Sequence, residues 1–224
     1  MIKKILRVTA VVFILNCIAV PFFGTGEREP KPYSKVESVI ITYEYYGLDK
    51  GTVKLSIKDN GSYVRRDETR IMKSNGDEKT YKYFYLLTPE NFYQADLHSG
   101  NMAIRMDRPA DLSTMILIPE ILYGESAESL ETESRYKKEA EERVADQLCQ
   151  VYYDETSAEK YWIWNDIILK NESLDWETKK PSGKRAVSVE LDPKFPKGTF
   201  EVPEDLEVIG QPSFTTSEHV CKAQ

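Results

Sequence analysis

Residues 39–58 alternate apolar and polar side chains with a period of two, and Asp59-Asn60-Gly61 then breaks the run. Val39, Ile41, Tyr43 and Tyr45 fall on one side, with Ser38, Thr42 and Glu44 on the other. After a turn at 47–51, Val53, Leu55 and Ile57 alternate with Lys54, Ser56 and Lys58. Side chains of a strand point to opposite faces in turn, so this is the pattern of two half-buried strands. Asn and Gly tolerate the positive φ that tight hairpin turns need, which makes 59–61 a reversal and the pairing antiparallel.

The same reading continues along the chain. A charge-rich third strand spans 62–73, Ser74-Asn75-Gly76-Asp77 turns it, and a fourth covers 79–87. There Tyr81, Tyr83 and Tyr85 share one face, and Phe84 and Leu86 the other. Two short strands follow at 92–97 and 101–106, joined by His98-Ser99-Gly100. Residues 112–122 are apolar without alternation, and Pro119 interrupts them; a short buried helix and then a turn fit that pattern. The acidic stretch 125–142 reads either as a surface helix or as a loosely ordered connection. Strands return at 148–154, 160–165 and 167–178, Pro181-Ser182-Gly183 reads as a turn, and Val187, Val189 and Leu191 alternate in a further strand. Residues 200–203 form a closing extended piece, and 209–224 a mobile tail. The expectation is about ten strands and one main helical region: a mainly β chain whose antiparallel meander curls into a half-open barrel, with one face enclosed.

The start of the chain carries a targeting pattern. Lys3 and Lys4 precede a run, 5–23, that is apolar apart from Arg7, Thr9 and Asn16, and small residues follow at Gly24-Thr25-Gly26. That is the layout of a secretory signal peptide over 1–26, with an uncleaved anchor as the alternative. In a third variant Ile14-Leu15-Asn16-Cys17 serves as a lipidation box that makes Cys17 a lipid anchor. Each version places the body of the protein, 34–208, in the periplasm or cell envelope. In an oxidising compartment Cys149 and Cys221 either pair or stay as thiols, and their separation permits both.

Function classes narrow by exclusion. Net charge is −7 and no basic stripe is present, so nucleic acid is a poor partner. Only His98 and His219 can act as an imidazole base. One sits in a turn and the other in the tail, with too few neighbouring ligands for a metal and no clear nucleophile. Glycines fall in hairpin turns, away from helix starts, so no phosphate loop is read. No cofactor, no metal and no catalytic residue are expected.

What stands out is aromatic: fourteen tyrosines, and Trp162 and Trp164 on one strand. These rings either fill an ordinary sheet core or line an apolar concavity. In the second case the lining is Val39, Ile41, Tyr43, Tyr45, Val53, Leu55, Ile57, Tyr83, Tyr85, Trp162 and Trp164, with Met115 and Ile116 of the helix as roof. Such a site takes an acyl chain, gaining about 0.8 kcal/mol per methylene before ordering costs.

Cys149-Gln150-Val151-Tyr152, Tyr161-Trp162-Ile163-Trp164-Asn165-Asp166-Ile167-Ile168-Leu169-Lys170 and Phe200-Glu201-Val202-Pro203 together resemble the closing half of the outer-membrane lipoprotein-sorting (LolA-like) superfamily. The likeness spans about residues 34–208. It implies a half-open antiparallel barrel whose apolar concave face, covered by helices, accepts lipid or the acyl chains of lipoproteins. It also implies a hairpin at 144–148, centred on Ala145-Asp146-Gln147. Sensor members of that superfamily suggest the alternative of an envelope protein partner.

Overall fold

The computed structural model describes residues 34–74, 77–108, 118–122, 127–175 and 178–210. The expected leader with Cys17, the roof residues Met115 and Ile116, His219, Cys221 and the tail beyond Gly210 lie outside these residues.

Among the described residues, thirteen strands form one sheet, more than the ten or so expected. They are β1 (Val39–Tyr46), β2 (Lys50–Lys58), β3 (Tyr63–Ser74), β4 (Asp77–Leu87), β5 (Asn91–Asp96), β6 (Met102–Asp107), β7 (Tyr136–Lys138), β8 (Glu142–Val144), β9 (Gln147–Asp154), β10 (Glu159–Trp164), β11 (Ile167–Leu174), β12 (Pro181–Leu191) and β13 (Glu207–Gly210). Their order is β13-β6-β5-β4-β3-β2-β1-β12-β11-β10-β9-β7, with β8 also on β9. The sheet is curved and unclosed, and every pairing is antiparallel except that of β13 with β6. The half-open barrel expected from the alternation is therefore the architecture found.

Local chemistry explains three of the reversals. Asp59 and Asn60 both adopt φ 53° ahead of Gly61 at 87°, the left-handed geometry that joins β2 to β3. Ala145 and Asp146 (φ 46° and 64°) turn β8 into β9, where the family resemblance placed a hairpin. Asn165 and Asp166 (φ 47° and 63°) turn β10 into β11 in the same way.

Three expectations are corrected. Pro181-Ser182-Gly183 is the start of β12, and Gly183 pairs with Glu172 on one side and Tyr46 on the other. Proline is tolerated at the first position of a strand. Gly183 is required because a Cβ there would lie 2.0 Å from the carbonyl oxygen of Asn171. The chain reverses just before, where Lys179 takes φ 56° and Asp175 Oδ1 accepts from the Thr178 amide at 2.6 Å. Residues 200–203 pair in no strand: Phe200 ends a turn, Glu201 is a bend and Val202-Pro203 are irregular, so the closing strand is β13. In the acidic stretch, only Ala127–Leu130 (α1) is helical among the described residues, and β7 and β8 follow it. The expected helix before Pro119 lies outside the described residues, and 118–122 form the turn expected after it, with an isolated bridge from Ile121 to Ile167.

Three apolar clusters hold the sheet. The main one packs Val39, Ile41, Tyr43, Val53, Leu55 and Ile57 against Val151, Trp162, Ile167, Leu169, Ile118 and Ile121. A second uses the other face of β4–β6, where Phe84, Leu86, Ala95 and Ala103 are covered by Leu206, Phe200 and Val202. The third joins Leu130 of α1 to Tyr152, Ile163 and Ile168. Alternation thus buries both faces of β4: Tyr85 packs on the first cluster, and Phe84 and Leu86 form the second.

Candidate functional site at the inner face of the sheet

The inner face of β1 and β2 is the apolar floor that the sequence pattern outlines. Val39, Ile41, Tyr43, Val53, Leu55 and Ile57 are fully buried there, and Tyr45, Tyr85 and Trp164 pack at the margin of their cluster. Trp162 joins them from β10, its indole Nε1 donating to Glu142 Oε2 at 2.8 Å and Lys170 Nζ lying 3.8 Å from its ring centroid. Tyr83 is only half-buried and stands between Tyr81 and Tyr85 at ring distances of 6.4 and 6.5 Å. The structure thus brings eleven of the candidate residues to one side of the sheet; Met115 and Ile116 are outside the described residues.

The segment 118–122 lies over this floor. The Leu122 amide donates to the Asp166 carbonyl at 3.0 Å, and the Ile168 amide to the Glu120 carbonyl at 2.8 Å. Ile118 and Ile121 therefore enter the main core, and Glu120 between them is driven inward with no exposed surface. A carboxylate in that position needs partners, because an unpaired buried charge is very costly.

The sheet supplies them from distant strands. Arg66 of β3 donates from Nε to Glu120 Oε1 and Oε2 at 3.2 and 3.0 Å, and from Nη1 to Glu68 Oε2 at 2.6 Å. Lys184 of β12 donates from Nζ to Glu120 Oε1. The Tyr45 hydroxyl donates to Glu68 Oε1. Arg66 stands 5.4 Å from the Tyr85 ring centroid and Lys184 5.8 Å from that of Tyr43, so aromatic faces complete the cationic surroundings. Arg66, Lys184 and Glu68 are themselves 3, 6 and 7% exposed.

Electrostatics follows from this geometry. Burial alone would push the Glu120 carboxyl up, but Lys184 and Arg66 overcome it and hold the group at about 2. Burial draws the Lys184 ammonium down, and Glu120 restores part of the loss. The Arg66 guanidinium is raised, because Glu120 and Glu68 outweigh its desolvation. Burial and then Glu68 push the Tyr45 hydroxyl up. Two cationic and two carboxylate side chains therefore face one another in the interior.

Towards the open side the inner face becomes more polar. Arg70 pairs with Asp49 and lies 5.1 Å from the Tyr45 ring centroid, and Tyr81 meets His98 at 5.1 Å. His98 is thus an aromatic neighbour in a turn. Cys149 is fully buried in the main core, where burial pushes its thiol up to about 11. On the opposite face of β1–β4, an open groove of about 440 Å³ is bordered by Thr42, Thr52, Lys54, Asp67, Thr69 and Lys82.

Pattern reading missed Arg66, Glu68, Glu120 and Lys184. One signal was present: Glu120 is the only charged residue between Leu112 and Leu122, and an isolated charge in an apolar run needs a buried partner. The identity of that partner depends on which strands meet, so it was not legible locally.

No family model matches the sequence, and no curated protein matches it. Among solved structures, an uncharacterized conserved protein from Thermus thermophilus is similar over 79% of this chain and 92% of its own, at 11% identity and TM-score 0.47. A MucB crystal structure aligns over 80% of this chain and 62% of its own, at 10% identity and TM-score 0.46. The MucA/MucB complex of Pseudomonas aeruginosa aligns over 77% and 58%, at 10% identity and TM-score 0.40. At these values the likenesses carry nothing about function.

Proposed function

We propose that the protein is a non-enzymatic interaction module of the cell envelope, exported by its N-terminal segment, that engages a partner protein along the β6–β13 end of its sheet. The observation that carries this reading is the contrast between the two regions. The inner face is occupied by Ile118, Glu120 and Ile121, whereas β13 is an edge among the described residues. All four β13 residues are exposed; Ile209, Met102 and Ile104 add an apolar surface on one face and Val208 stands on the other, each at least 40% exposed. An edge strand offers unpaired amides and carbonyls to an extended segment of another chain. The buried Cys149 thiol and the ring-packed His98 support a role without covalent chemistry. The test is a pull-down from envelope extract with the wild-type chain and with Val208→Lys/Ile209→Lys. A partner retained by wild type and lost with the lysine pair is expected; equal retention removes β13 as the contact.

A second reading is favoured by the continuous apolar floor of Val39, Ile41, Val53, Leu55 and Ile57. Here the module is a carrier for a lipid or lipoprotein acyl chain, in keeping with the LolA-like resemblance, and the chain takes the room that 118–122 now fills. Saturable binding of a fluorescent fatty acid, with a change in the emission of Trp162 or Trp164, supports it; a titration without saturation removes it.

A further inference from the structure

The inner charged cluster balances only with segment 118–122 in place. The sheet's own strands contribute Arg66, Lys184 and Glu68, two cations against one carboxylate. Glu120 brings the fourth charge from outside the sheet. Without it the interior would hold a net positive charge beside the floor of Val39 and Ile41, which no neutral occupant relieves. Glu120 is also gripped as a ligand would be: Arg66 Nε reaches both carboxylate oxygens and Lys184 one of them. A guanidinium beside an ammonium is suited to a carboxylate or a phosphate oxygen. Tyr43 and Tyr45 lie next to these cations on β1, so an apolar chain and an anionic head would meet the sheet side by side.

We propose that Arg66 and Lys184 are an anion-binding pair that Glu120 fills in this structure, and that an amphiphile entering the sheet must bring a carboxylate or phosphate head to replace it. This rests on the carrier reading and adds a requirement to it: chain length alone is not enough.

The experiment titrates the full chain, Glu120→Gln and Lys184→Met with oleate, oleyl phosphate, oleyl alcohol and inorganic phosphate, following tryptophan emission. The wild-type chain is expected to bind the two anionic amphiphiles about tenfold tighter than the alcohol. Glu120→Gln widens that preference, and Lys184→Met abolishes it. Should Glu120→Gln fail to fold, the wild type and Lys184→Met decide the matter by themselves. Equal affinity for oleate and oleyl alcohol in the wild type overturns the anion requirement and leaves the carrier reading standing. Inorganic phosphate that competes as well as oleyl phosphate assigns the pair to a free anion and overturns the amphiphile. No saturable binding by any amphiphile removes carrier and anion site together.

Discussion

At the scale of single residues, Glu120 and Cys149 make the sharpest predictions. Glu120 has a folded-state pKa of about 2 against an ordinary 4.5, so its ionised form is favoured by folding. A depressed carboxyl contributes stability that is present above about pH 4.5 and disappears as pH falls through about 2. Denaturant midpoints of the wild type are therefore expected to drop across that interval, and those of Glu120→Gln to drop less. Removing one partner of a buried pair strands the others, so Glu120→Ala should cost about 3–5 kcal/mol at neutral pH by urea unfolding. A loss below about 1 kcal/mol would mean water reaches Arg66 and Lys184 in solution. Cys149 poses a different question. Burial raises its thiol to about 11, so alkylation at mildly basic pH should leave it unlabelled in the native chain. Labelling in denaturant alone would show a free thiol, and labelling only after reduction would show a bond to Cys221.

At the scale of elements, two glycine and turn positions carry testable strain. Gly183 lets β12 approach β11, since a Cβ there would lie 2.0 Å from the Asn171 oxygen. Gly183→Ala should destabilise by about 2 kcal/mol or more, because backbone rather than a flexible side chain would have to move. Ala145 and Asp146 hold positive φ in the β8–β9 turn, a conformation that Asn-Gly adopts more easily. Ala145→Asn with Asp146→Gly is expected to raise stability by about 0.5–1 kcal/mol, measured as a shift in denaturation midpoint. These positions also show where sequence was informative. Period-two runs marked β1, β2 and β4 because each has a face in a core, and Asp59-Asn60-Gly61 marked the turn from β2 to β3. β7 and β8 escaped notice because three-residue strands hold too few positions to alternate. Pro181-Ser182-Gly183 misled because Pro and Gly usually punctuate turns, whereas here one starts a strand and the other permits a close approach. The floor residues were readable as an apolar stripe; Arg66 and Lys184 were not, since each lies in a charge-bearing strand and only the sheet order brings them together.

At the scale of the whole molecule, the polar cluster ties three distant parts of the chain together. Arg66 and Glu120 are 54 residues apart, and Glu120 and Lys184 are 64 apart. Isoleucines such as those flanking Glu120 suit any apolar sheet face; what makes the closure specific is the match of one inserted carboxylate to two cations on β3 and β12. Specificity of this kind is a coupling between residues and can be measured as one. A double-mutant cycle of Glu120→Gln and Lys184→Met, followed by urea unfolding at neutral pH, tests it most directly. A coupling of about 2 kcal/mol or more is predicted, with the double variant less damaged than the two single losses add up to. Strictly additive losses would contradict the claim that Glu120 holds segment 118–122 to the sheet through Lys184.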